Sequence, residues 1–143
     1  MFDQLVKDVM RRSEMLKAPP QTSVSKAARL MAKSNVGAVM VVEAGRLIGI
    51  FTERDVVFRV VAEDRDARTT QLTDVMTRSP EVVTADKPLG YALFIMHQRG
   101  FGHLPVLADG QIVGIVSARS AMDPELEDFV SEARRREHYR GQA

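Results

Sequence analysis

The feature that most constrains the fold is a repeat: residues 20–55 return as residues 85–120 at an offset of 65 positions. Eight positions are identical between the copies, and similar apolar pairs fill much of the rest. Upstream, the triplet Asp-Val-Met occurs at 8–10 and again at 74–76. The chain is therefore predicted to consist of two homologous units. The identical pairs are Ala27/Ala92, Met31/Met96, Gly37/Gly102, Val41/Val106, Gly45/Gly110, Gly49/Gly114, Ile50/Ile115 and Arg54/Arg119.

Each copy has the pattern of a helix followed by a hairpin. Apolar residues at 24, 27, 28 and 31, and again at 89, 92, 93 and 96, fall on one face of a helix. Apolar runs then flank the turn sequences "EAGR" and "ADGQ", which predicts two strands joined by a tight turn in each copy. After the hairpins, "ERDVVFRVVAED" predicts a long helix, whereas "ARSAM" predicts a short one that ends at Pro124.

One such unit would leave an apolar helix face and an apolar sheet face uncovered, so the two units are expected to cover each other. The predicted fold class is α+β with α/β-type layers, as two β-α-β-β-α repeats packed in a pseudo-two-fold pair. Residues 1–69 are assigned to an N-terminal helix and the first repeat, 70–125 to the second repeat, and 126–143 to a C-terminal helix and a basic tail that is expected to fray. The amphipathic stripes that predict the flanking helices are Phe2, Leu5, Val6 and Val9, and Leu126, Phe129, Val130 and Ala133.

Composition narrows the function classes. The net charge of +1 gives no reason to expect strong non-specific nucleic-acid binding. No apolar run approaches the roughly 20 residues that span a bilayer, and no secretory signal pattern is present at the N-terminus. The chain has no cysteine, which excludes disulfides and thiolate chemistry. A cytoplasmic location is expected.

Motifs of catalysis are not found in the sequence. No His, Asp and Glu cluster has metal-ligand spacing, no Ser-His-Asp order is present, and glycine-rich phosphate loops are missing. We expect no enzyme activity, no metal and no catalytic cofactor. The eight methionines are interpreted as adaptable core residues, and His97 and His138 as surface residues.

The repeat, the two "DVM" triplets, "GIFTERD" and "GHLPVLADGQIVGIVS" together resemble a tandem pair of cystathionine-β-synthase (CBS) domains, the Bateman module. The resemblance covers residues 8 to about 125, and we expect a stand-alone CBS pair without a catalytic domain. It implies a regulatory sensor that binds an adenosine-containing ligand (AMP, ADP, ATP, NAD or S-adenosylmethionine) in clefts between the repeats. It also implies a homodimer and a regulated partner protein.

Thr52 and Asp55 are the first candidate site residues. A threonine with an acidic residue three positions later forms a capping box, which alone explains this spacing. The same helix start offers free amides to phosphate, and the resemblance places a ribose diol on Asp55. Both interpretations of Thr52 can hold together.

The resemblance implies further residues for this main cleft. The segment Pro80, Glu81, Val82 and Val83 would hold the adenine, or else is an ordinary edge strand. His103 stands where relatives carry a basic residue that faces phosphate, although a lone histidine is commonly a surface group. Arg119 would reach the phosphate across the interface, or else is a solvated residue in the first turn of a helix.

A second, weaker cleft is implied by the pseudo-symmetry. Serine at 120 stands where the first repeat has Asp55, and an uncharged, shorter side chain should hold a ribose diol less tightly. The residues assigned to this cleft are Leu16, Lys17, Ala18, Pro19, Ala38, Arg54, Ser117 and Ser120.

Three function classes remain open from the sequence. The first is the ligand-sensing regulatory module. The second is an assembly module with vestigial clefts, whose working surfaces would be the N-terminal helix and the helix over 124–137. The third is nucleic-acid binding through an arginine-rich tail that contains Arg134, Arg135, Arg136 and Arg140.

Overall fold

The computed structural model describes residues 2–12 and 15–141; in the last helix, the side chains of 123–128, 130, 131, 139 and 141 are outside this description. Two repeats of the predicted order make up the chain. The elements are α1 (Val6–Val9), β1 (Lys17–Ala18), α2 (Val24–Ser34), β2 (Ala38–Glu43), β3 (Arg46–Thr52), α3 (Glu53–Asp55), a π-helix (Val56–Val61), α4 (Leu72–Val75), β4 (Thr77–Arg78), β5 (Val83–Thr84), α5 (Leu89–Arg99), β6 (His103–Ala108), β7 (Gln111–Ser117) and α6 (Ala118–Gly141).

Two small sheets carry the repeats. The first has the order β1-β2-β3-β4 and the second β5-β6-β7. In both, a short strand pairs in parallel with the first hairpin strand, and corresponding residues have the same partners: Ala18 opposes Val41, and Val83 opposes Val106. The predicted fold class, a mixed α+β pair of similar repeats, is confirmed.

The two hairpin turns have the same backbone geometry. Ala44 and Gly45 lie at φ +51° and +77°, and Asp109 and Gly110 at φ +50° and +76°. Two consecutive residues at positive φ match the twist of the flanking strands, which is why Asp-Gly is a strong hairpin signal. The tight turns predicted at these two places are confirmed.

The segment that precedes each repeat in the chain packs into the core of the other repeat; we call these two segments, α1 and α4 with the residues that follow them, the leading segments. Val6 and Val9 of α1 lie in the core of the second repeat, whereas Leu72 and Val75 of α4 lie in the core of the first. The backbone follows the same exchange, because the amide of Val6 donates to the carbonyl of Lys87 at 2.8 Å. Each core is therefore complete only when the other repeat is folded against it.

The exchange places a methionine against a glycine at two equivalent positions. A Cβ added to Gly114 would lie 2.8 Å from the Sδ of Met10, and one added to Gly49 would overlap the Sδ of Met76. Both glycines lie inside hairpin strands, where a residue with a side chain would normally be favourable. The close approach of the methionines explains why glycine recurs in "GIF" and "GIV".

The helices after the hairpins differ from the prediction. In place of one long α-helix over 53–64, α3 has one turn and continues as the π-helix, with the Ala62 amide donating to the Val57 carbonyl at 2.9 Å. A run of valines and a phenylalanine is apolar in either spacing, so its periodicity could not distinguish α from π. The N-terminal helix is also shorter than predicted, with only Val6–Val9 helical.

The helix after the second hairpin is longer than predicted. It runs from Ala118 to Gly141 through Pro124, and the basic tail forms its last turns as far as Gly141. Proline removes one backbone hydrogen bond to the residue four positions earlier but does not have to end a helix. The expectation of a short helix that ends at Pro124 is wrong. Of the predicted apolar stripe, Phe129 is exposed and Ala133 half-buried, while Leu126 and Val130 lie outside the described side chains.

The predictions for single residue types hold in part. His97 and His138 are exposed, as predicted. Met31, Met40, Met76 and Met96 are buried, in keeping with methionine as adaptable core filler, but Met122 is exposed and departs from that prediction.

Candidate functional site

Two cavities lie at corresponding places of the two repeats, next to the helix start that follows each hairpin. The first, of about 440 Å³, contains Thr52 and Asp55; we call it the Asp55 cavity. The second, of about 790 Å³, contains Ser117 and Ser120; we call it the Ser120 cavity. Both are formed where one repeat meets the other.

Asp55 is held in place by its own helix start. Its Oδ2 accepts a hydrogen bond from the Thr52 amide at 2.9 Å and a longer one from the Thr52 hydroxyl at 3.4 Å. Its Oδ1 lies 3.5 Å from Nε of Arg59, one helical turn later. The side chain keeps only 10% of its exposure, so this carboxylate is fixed and largely removed from water.

The electrostatic environment of Asp55 has opposing contributions. Burial raises the pKa of Asp55 above its ordinary value, and this effect is larger than the hydrogen bond from the Thr52 amide and the nearby charges of Arg59 and Arg54, which lower it. A carboxylate that is costly to keep charged yet retained in a cavity is typical of a site that uses the charge.

Ser117 and Ser120 form a closed pair at the equivalent place. Each serine hydroxyl oxygen accepts the backbone amide of the other at 2.9 Å, which is a complete reciprocal capping box. The Ser120 hydroxyl also donates to the Ser117 carbonyl at 3.1 Å, and both residues are buried. The polar groups of this helix start are therefore satisfied within the protein.

Most residues predicted for the main cleft do meet at the Asp55 cavity. Thr52 and Asp55 line it from β3 and α3, Pro80 and Glu81 from the segment after β4, and His103 from the start of β6. Val82 and Val83 are not among its described lining residues. Val83 pairs with β6 and is buried in the core of the second repeat, so only the residues before β5 curve over the cavity.

The two arginines lie in the opposite cavities from those predicted. Arg119 lines the Ser120 cavity, and Arg54 lines the Asp55 cavity, where its guanidinium stacks 4.7 Å from the centre of the Phe58 ring. The expected reach across the interface is wrong. Each arginine follows its own hairpin by two residues, so its helix start carries it to the cavity of its own repeat.

The other residues predicted for the weaker cleft divide in two. Ser117 and Ser120 line the Ser120 cavity, but Leu16, Lys17, Ala18 and Pro19 are not among its described lining residues. Ala18 belongs to the core of the first repeat, Leu16 packs against it, and Lys17 and Pro19 face solvent. Ala38 is fully buried between the repeats with Ile50 and Ile115. The adenine segment expected there is thus not brought to this cavity.

Two arginines that line the Asp55 cavity, Arg59 and Arg99, were not predicted from the sequence. Arg59 donates from Nη1 to the carbonyls of Val75 and Met76 at 3.1 and 3.0 Å, in addition to its ion pair with Asp55. Arg99, at the end of α5, pairs with Glu81 at 3.3 Å. The spacing of Arg59 four residues after Asp55 was a usable signal, whereas the approach of Arg99 depends on tertiary structure.

His103 lines both cavities. Its Nε2 lies 3.2 Å from the place where a Cβ of Gly37 would stand, and Oε1 of Glu53 lies 3.0 Å from the same point. Gly37 therefore allows the imidazole and the carboxylate to approach the backbone between the repeats. The counterpart of His103 in the first repeat is Ala38, so only one residue of this kind serves the two cavities.

The described part of the chain contains neither a cluster of metal ligands nor a helix that could span a membrane. Within residues 2–12 and 15–141, no group of three or more His, Asp or Glu side chains could hold a metal ion. A search of the same residues finds no helix with the length and apolarity needed to cross a bilayer.

Comparison with known proteins gives a consistent family. Residues 6–62 and 72–124 match the family model described as CBS domain. The CBS domain-containing protein YhcV of Bacillus subtilis is 38% identical over 114 residues, which are 78% of this chain and 79% of YhcV. CBSCBSPB1 of Arabidopsis thaliana is 37% identical over 105 residues, which are 73% of this chain but 19% of that protein. The chain thus spans about a fifth of the length of the Arabidopsis relatives.

Solved structures agree with the family match. An uncharacterized conserved protein from Pyrococcus horikoshii has a TM-score of 0.81 and 28% identity, covering 87% of this chain and 94% of that one. The CBS domain pair of protein MJ0100, crystallised with 5′-methylthioadenosine and S-adenosyl-L-methionine, has a TM-score of 0.76 and 25% identity. It covers 84% of this chain and 98% of that one.

Proposed function

The chain belongs to the CBS domain family as a tandem pair, a regulatory module, and from that premise we propose that its Asp55 cavity binds an adenosine-containing nucleotide. The ligand class is AMP, ADP, ATP or NAD. Binding would alter the packing between the repeats, and a dimer interface or a partner protein would respond to that change. A ligand shifts such an equilibrium only by its different affinities for the two states.

The observation that carries this proposal is the fixed, buried carboxylate of Asp55 in a cavity with arginines around it. A carboxylate can accept both hydroxyls of a ribose. Among the described lining residues, Arg54 and Arg99 supply cationic groups for phosphate, which cations bind most strongly, whereas Arg59 is bonded to Asp55 and to the backbone. The ribose would therefore contact Asp55, with its phosphates toward the arginines and the base against the Thr77–Glu81 segment.

The ligands of the MJ0100 pair support adenosine as the common element. Neither of those ligands carries a phosphate, whereas the arginines of the present cavity favour an anionic group. We therefore expect AMP, ADP, ATP or NAD to bind more tightly than 5′-methylthioadenosine does.

The test is thermal unfolding with a panel of AMP, ADP, ATP, NAD, S-adenosylmethionine and 5′-methylthioadenosine. A ligand that binds the native state at a hundred times its Kd stabilises it by about 2.7 kcal/mol, which raises Tm by several degrees. If none of the six raises Tm at millimolar concentration, the nucleotide proposal fails. Calorimetric titration of the best ligand then gives its affinity and the number of sites.

The Ser120 cavity is proposed as a second, weaker site of the same ligand class. Its residues include Arg119 and His103, which could approach a phosphate, but the serine pair is already bonded within the protein. We expect the calorimetric titration to show one tight site and either one weak site or none. Two sites of equal affinity would contradict this ranking.

A second candidate function, assembly independent of ligand, is favoured by apolar side chains at the surface. Val57, Phe58 and Val61 of the π-helix are each more than half exposed, as are Met122 and Phe129 of α6. The N-terminal helix cannot serve as the expected working surface, because Val6 and Val9 are buried. Light scattering that shows a homodimer with and without nucleotide, together with no ligand effect on Tm, would favour this function.

The remaining expectations stay predictions. Arg134, Arg135, Arg136 and Arg140 are exposed on α6, and Arg136 pairs with Glu132 at 2.7 Å. Nucleic-acid binding through them would weaken steeply with salt and disappear when the tail is removed. A cytoplasmic location and an absence of enzyme activity remain to be tested, by fractionation and by activity assays with the bound nucleotide.

A further inference from the structure

Arg59 connects two walls of the Asp55 cavity. From the π-helix, its Nη1 donates to the carbonyls of Val75 and Met76, at 3.1 and 3.0 Å, and its Nε lies 3.5 Å from Oδ1 of Asp55. Half of its side chain is exposed and half is packed. One guanidinium therefore contacts the carboxylate on one side of the cavity and the backbone of the opposite repeat on the other.

The two carbonyls belong to the segment that leads into the far wall. They end α4, where the last carbonyls of a helix have no partner within the helix. Directly after them come Thr77, Ser79 and Pro80, which line the cavity. The same stretch is fixed at Met76, whose side chain packs against Gly49. Arg59 is thus bonded to the backbone at the point where the buried methionine is followed by the lining residues.

We infer that Arg59 is a positioning residue: it sets the separation between Asp55 and the Thr77–Pro80 wall and fixes the orientation of the carboxylate toward the ligand. This role rests on the proposed function of the cavity. Arg59 acts through Asp55 and through the wall. The guanidinium suits the task because its planar fork can bond in two directions at once, which an ammonium group cannot do in the same way.

The second repeat shows that the fold itself does not require this arginine. The position equivalent to Arg59 is Pro124, which has no cationic group, and the position equivalent to Asp55 is Ser120. Both repeats nevertheless form the same hairpin and the same helix start. The arginine and the aspartate therefore occur together in one repeat and are missing together from the other, as expected for two parts of one site.

The first experiment uses the protein without ligand. The pKa of Asp55 is measured by carboxyl-carbon NMR in wild type, Arg59→Gln and Arg59→Lys, with Arg68→Gln as the control. Like Arg59, Arg68 is an arginine paired with an aspartate, with its Nε 3.4 Å from Oδ1 of Asp66, but it is exposed and is not among the described lining residues of the Asp55 cavity. The titratable and cationic side chains that line the cavity with Asp55 are Arg54 on α3, Arg59 on the π-helix, and Glu81, Arg99 and His103 on the opposite side. Exchange of the Met76 and Ser79 amides is followed in the same samples.

The two variants are expected to separate the effect of the positive charge of Arg59 from the effect of its planar guanidinium. Burial raises the pKa of Asp55 and Arg59 partly opposes that effect, so Arg59→Gln raises this pKa further. Arg59→Lys keeps the charge and leaves the pKa close to wild type, but loses the fork. In both variants the amides of Met76 and Ser79 exchange faster than in wild type. Arg68→Gln leaves the pKa of Asp55 and the exchange of the two amides unchanged.

The second experiment measures AMP affinity in the same variants. Arg59→Gln is expected to weaken AMP binding about tenfold, the value of one charge-assisted hydrogen bond, and to move the acid-side loss of binding to higher pH. Comparison with wild type removes the titration of the AMP phosphate itself. Arg59→Lys should fall between the two, and Arg68→Gln should bind as wild type does.

Two outcomes would overturn the inference. If Arg59→Gln and Arg59→Lys leave both the pKa of Asp55 and the amide exchange unchanged, Arg59 positions nothing. If AMP binding falls without either change, Arg59 contacts the ligand directly. Should wild type not bind AMP at all, the proposed nucleotide fails, while the ligand-free measurements still decide the role of Arg59. If Arg59→Gln does not fold, Arg59→Lys still decides the inference, through faster exchange of the Met76 and Ser79 amides and weaker AMP binding.

Discussion

The helix starts at Asp55 and at Ser120 both need partners for their free backbone amides, and the two repeats supply them from different side chains. In the second repeat, two serines satisfy each other's amides and are buried without charge. In the first, a carboxylic acid takes the place of one hydroxyl and bonds the Thr52 amide, although burial disfavours its charged form. Serine at the equivalent place also completes the cap, so capping alone does not demand an aspartate. This difference is the basis on which we propose a ligand-binding role for Asp55.

The largest effect that tests this comparison is expected from Asp55→Asn. The amide oxygen of asparagine can still accept the Thr52 amide, and a buried charge is removed, so the free energy of unfolding should stay equal or rise slightly. AMP binding should weaken about a hundredfold, because two charge-assisted hydrogen bonds to the ribose become weaker. Calorimetry and urea denaturation measure the two quantities.

The control for Asp55→Asn is Asp109→Asn. Asp109 is exposed in the second hairpin turn at φ +50°, a conformation that asparagine also accepts. It should leave both AMP binding and stability as they are. An Asp55→Asn protein that binds AMP like wild type would move the site away from Asp55.

Lowering the pH should weaken adenosine binding while it increases the contribution of Asp55 to the free energy of unfolding. As pH falls through the raised pKa of Asp55, the carboxylate gains a proton and loses an acceptor, so adenosine affinity decreases. The folded state holds this proton more tightly than the unfolded state, whose value is the ordinary 3.8. The contribution of Asp55 to the free energy of unfolding therefore increases as pH falls between the two values.

Adenosine is the probe for this measurement because it carries no titrating phosphate. The difference between wild type and Asp55→Asn, measured across the pH range, isolates the contribution of this residue. If adenosine affinity and unfolding free energy change in the same direction, the ionised carboxylate is not the ligand acceptor.

The contacts of Met76 with Gly49 and of Met10 with Gly114 can be compared by adding a methyl group to each glycine. Gly49→Ala should destabilise the protein by about 1–3 kcal/mol, because the new methyl group must displace Met76 in a closed core. Gly114→Ala should cost less, since its Cβ would meet Met10 at 2.8 Å, a smaller overlap. Urea denaturation gives both values. The cost of Gly49→Ala should shrink in a Met76→Ala background, and an unchanged cost there would rule out this contact as its cause.

The smallest effect is expected from Ser120→Ala. It removes an N-terminal capping partner and should lower the free energy of unfolding by about 1 kcal/mol. AMP binding at the tight site should not change. Asp55→Asn and Ser120→Ala would then form a reciprocal pair, with one affecting binding only and the other stability only. A clear loss of AMP affinity in Ser120→Ala would show that the serine repeat contributes to the tight site.

The sequence predicted the local structure of each repeat well, and physical chemistry explains why. Helix faces, hairpin turns and capping spacings depend on residues within about ten positions of each other, and a repeat states each of them twice. The same locality limited the prediction at the π-helix, because "VVFRVV" is apolar at α and π spacing alike. It also failed at Pro124, through which the helix continues, because proline removes one backbone hydrogen bond but does not have to end a helix.

Of the candidate site, the sequence found the residues that carry chemistry within a motif. Thr52 and Asp55 were named from the spacing of a capping box, and the ribose role of Asp55 and the phosphate role of His103 from the family resemblance; all three residues line one cavity. Arg99 could not be found in this way, because its approach to Glu81 depends on how α5 packs. The arginines at 54 and 119 were named but assigned to the wrong cavities, since helix direction sets their reach.

The sequence by itself determined that the chain is a pair of similar units, each with a capped helix start, and that only one start carries an acid. Tertiary structure alone decided that the leading segments exchange, that Met10 and Met76 close on glycines of the opposite repeat, and that Arg59 joins the two walls of the Asp55 cavity. The physical reason is range. Periodicity and capping are fixed by neighbours along the chain, whereas the partner of an apolar face is chosen by the packing of the whole molecule.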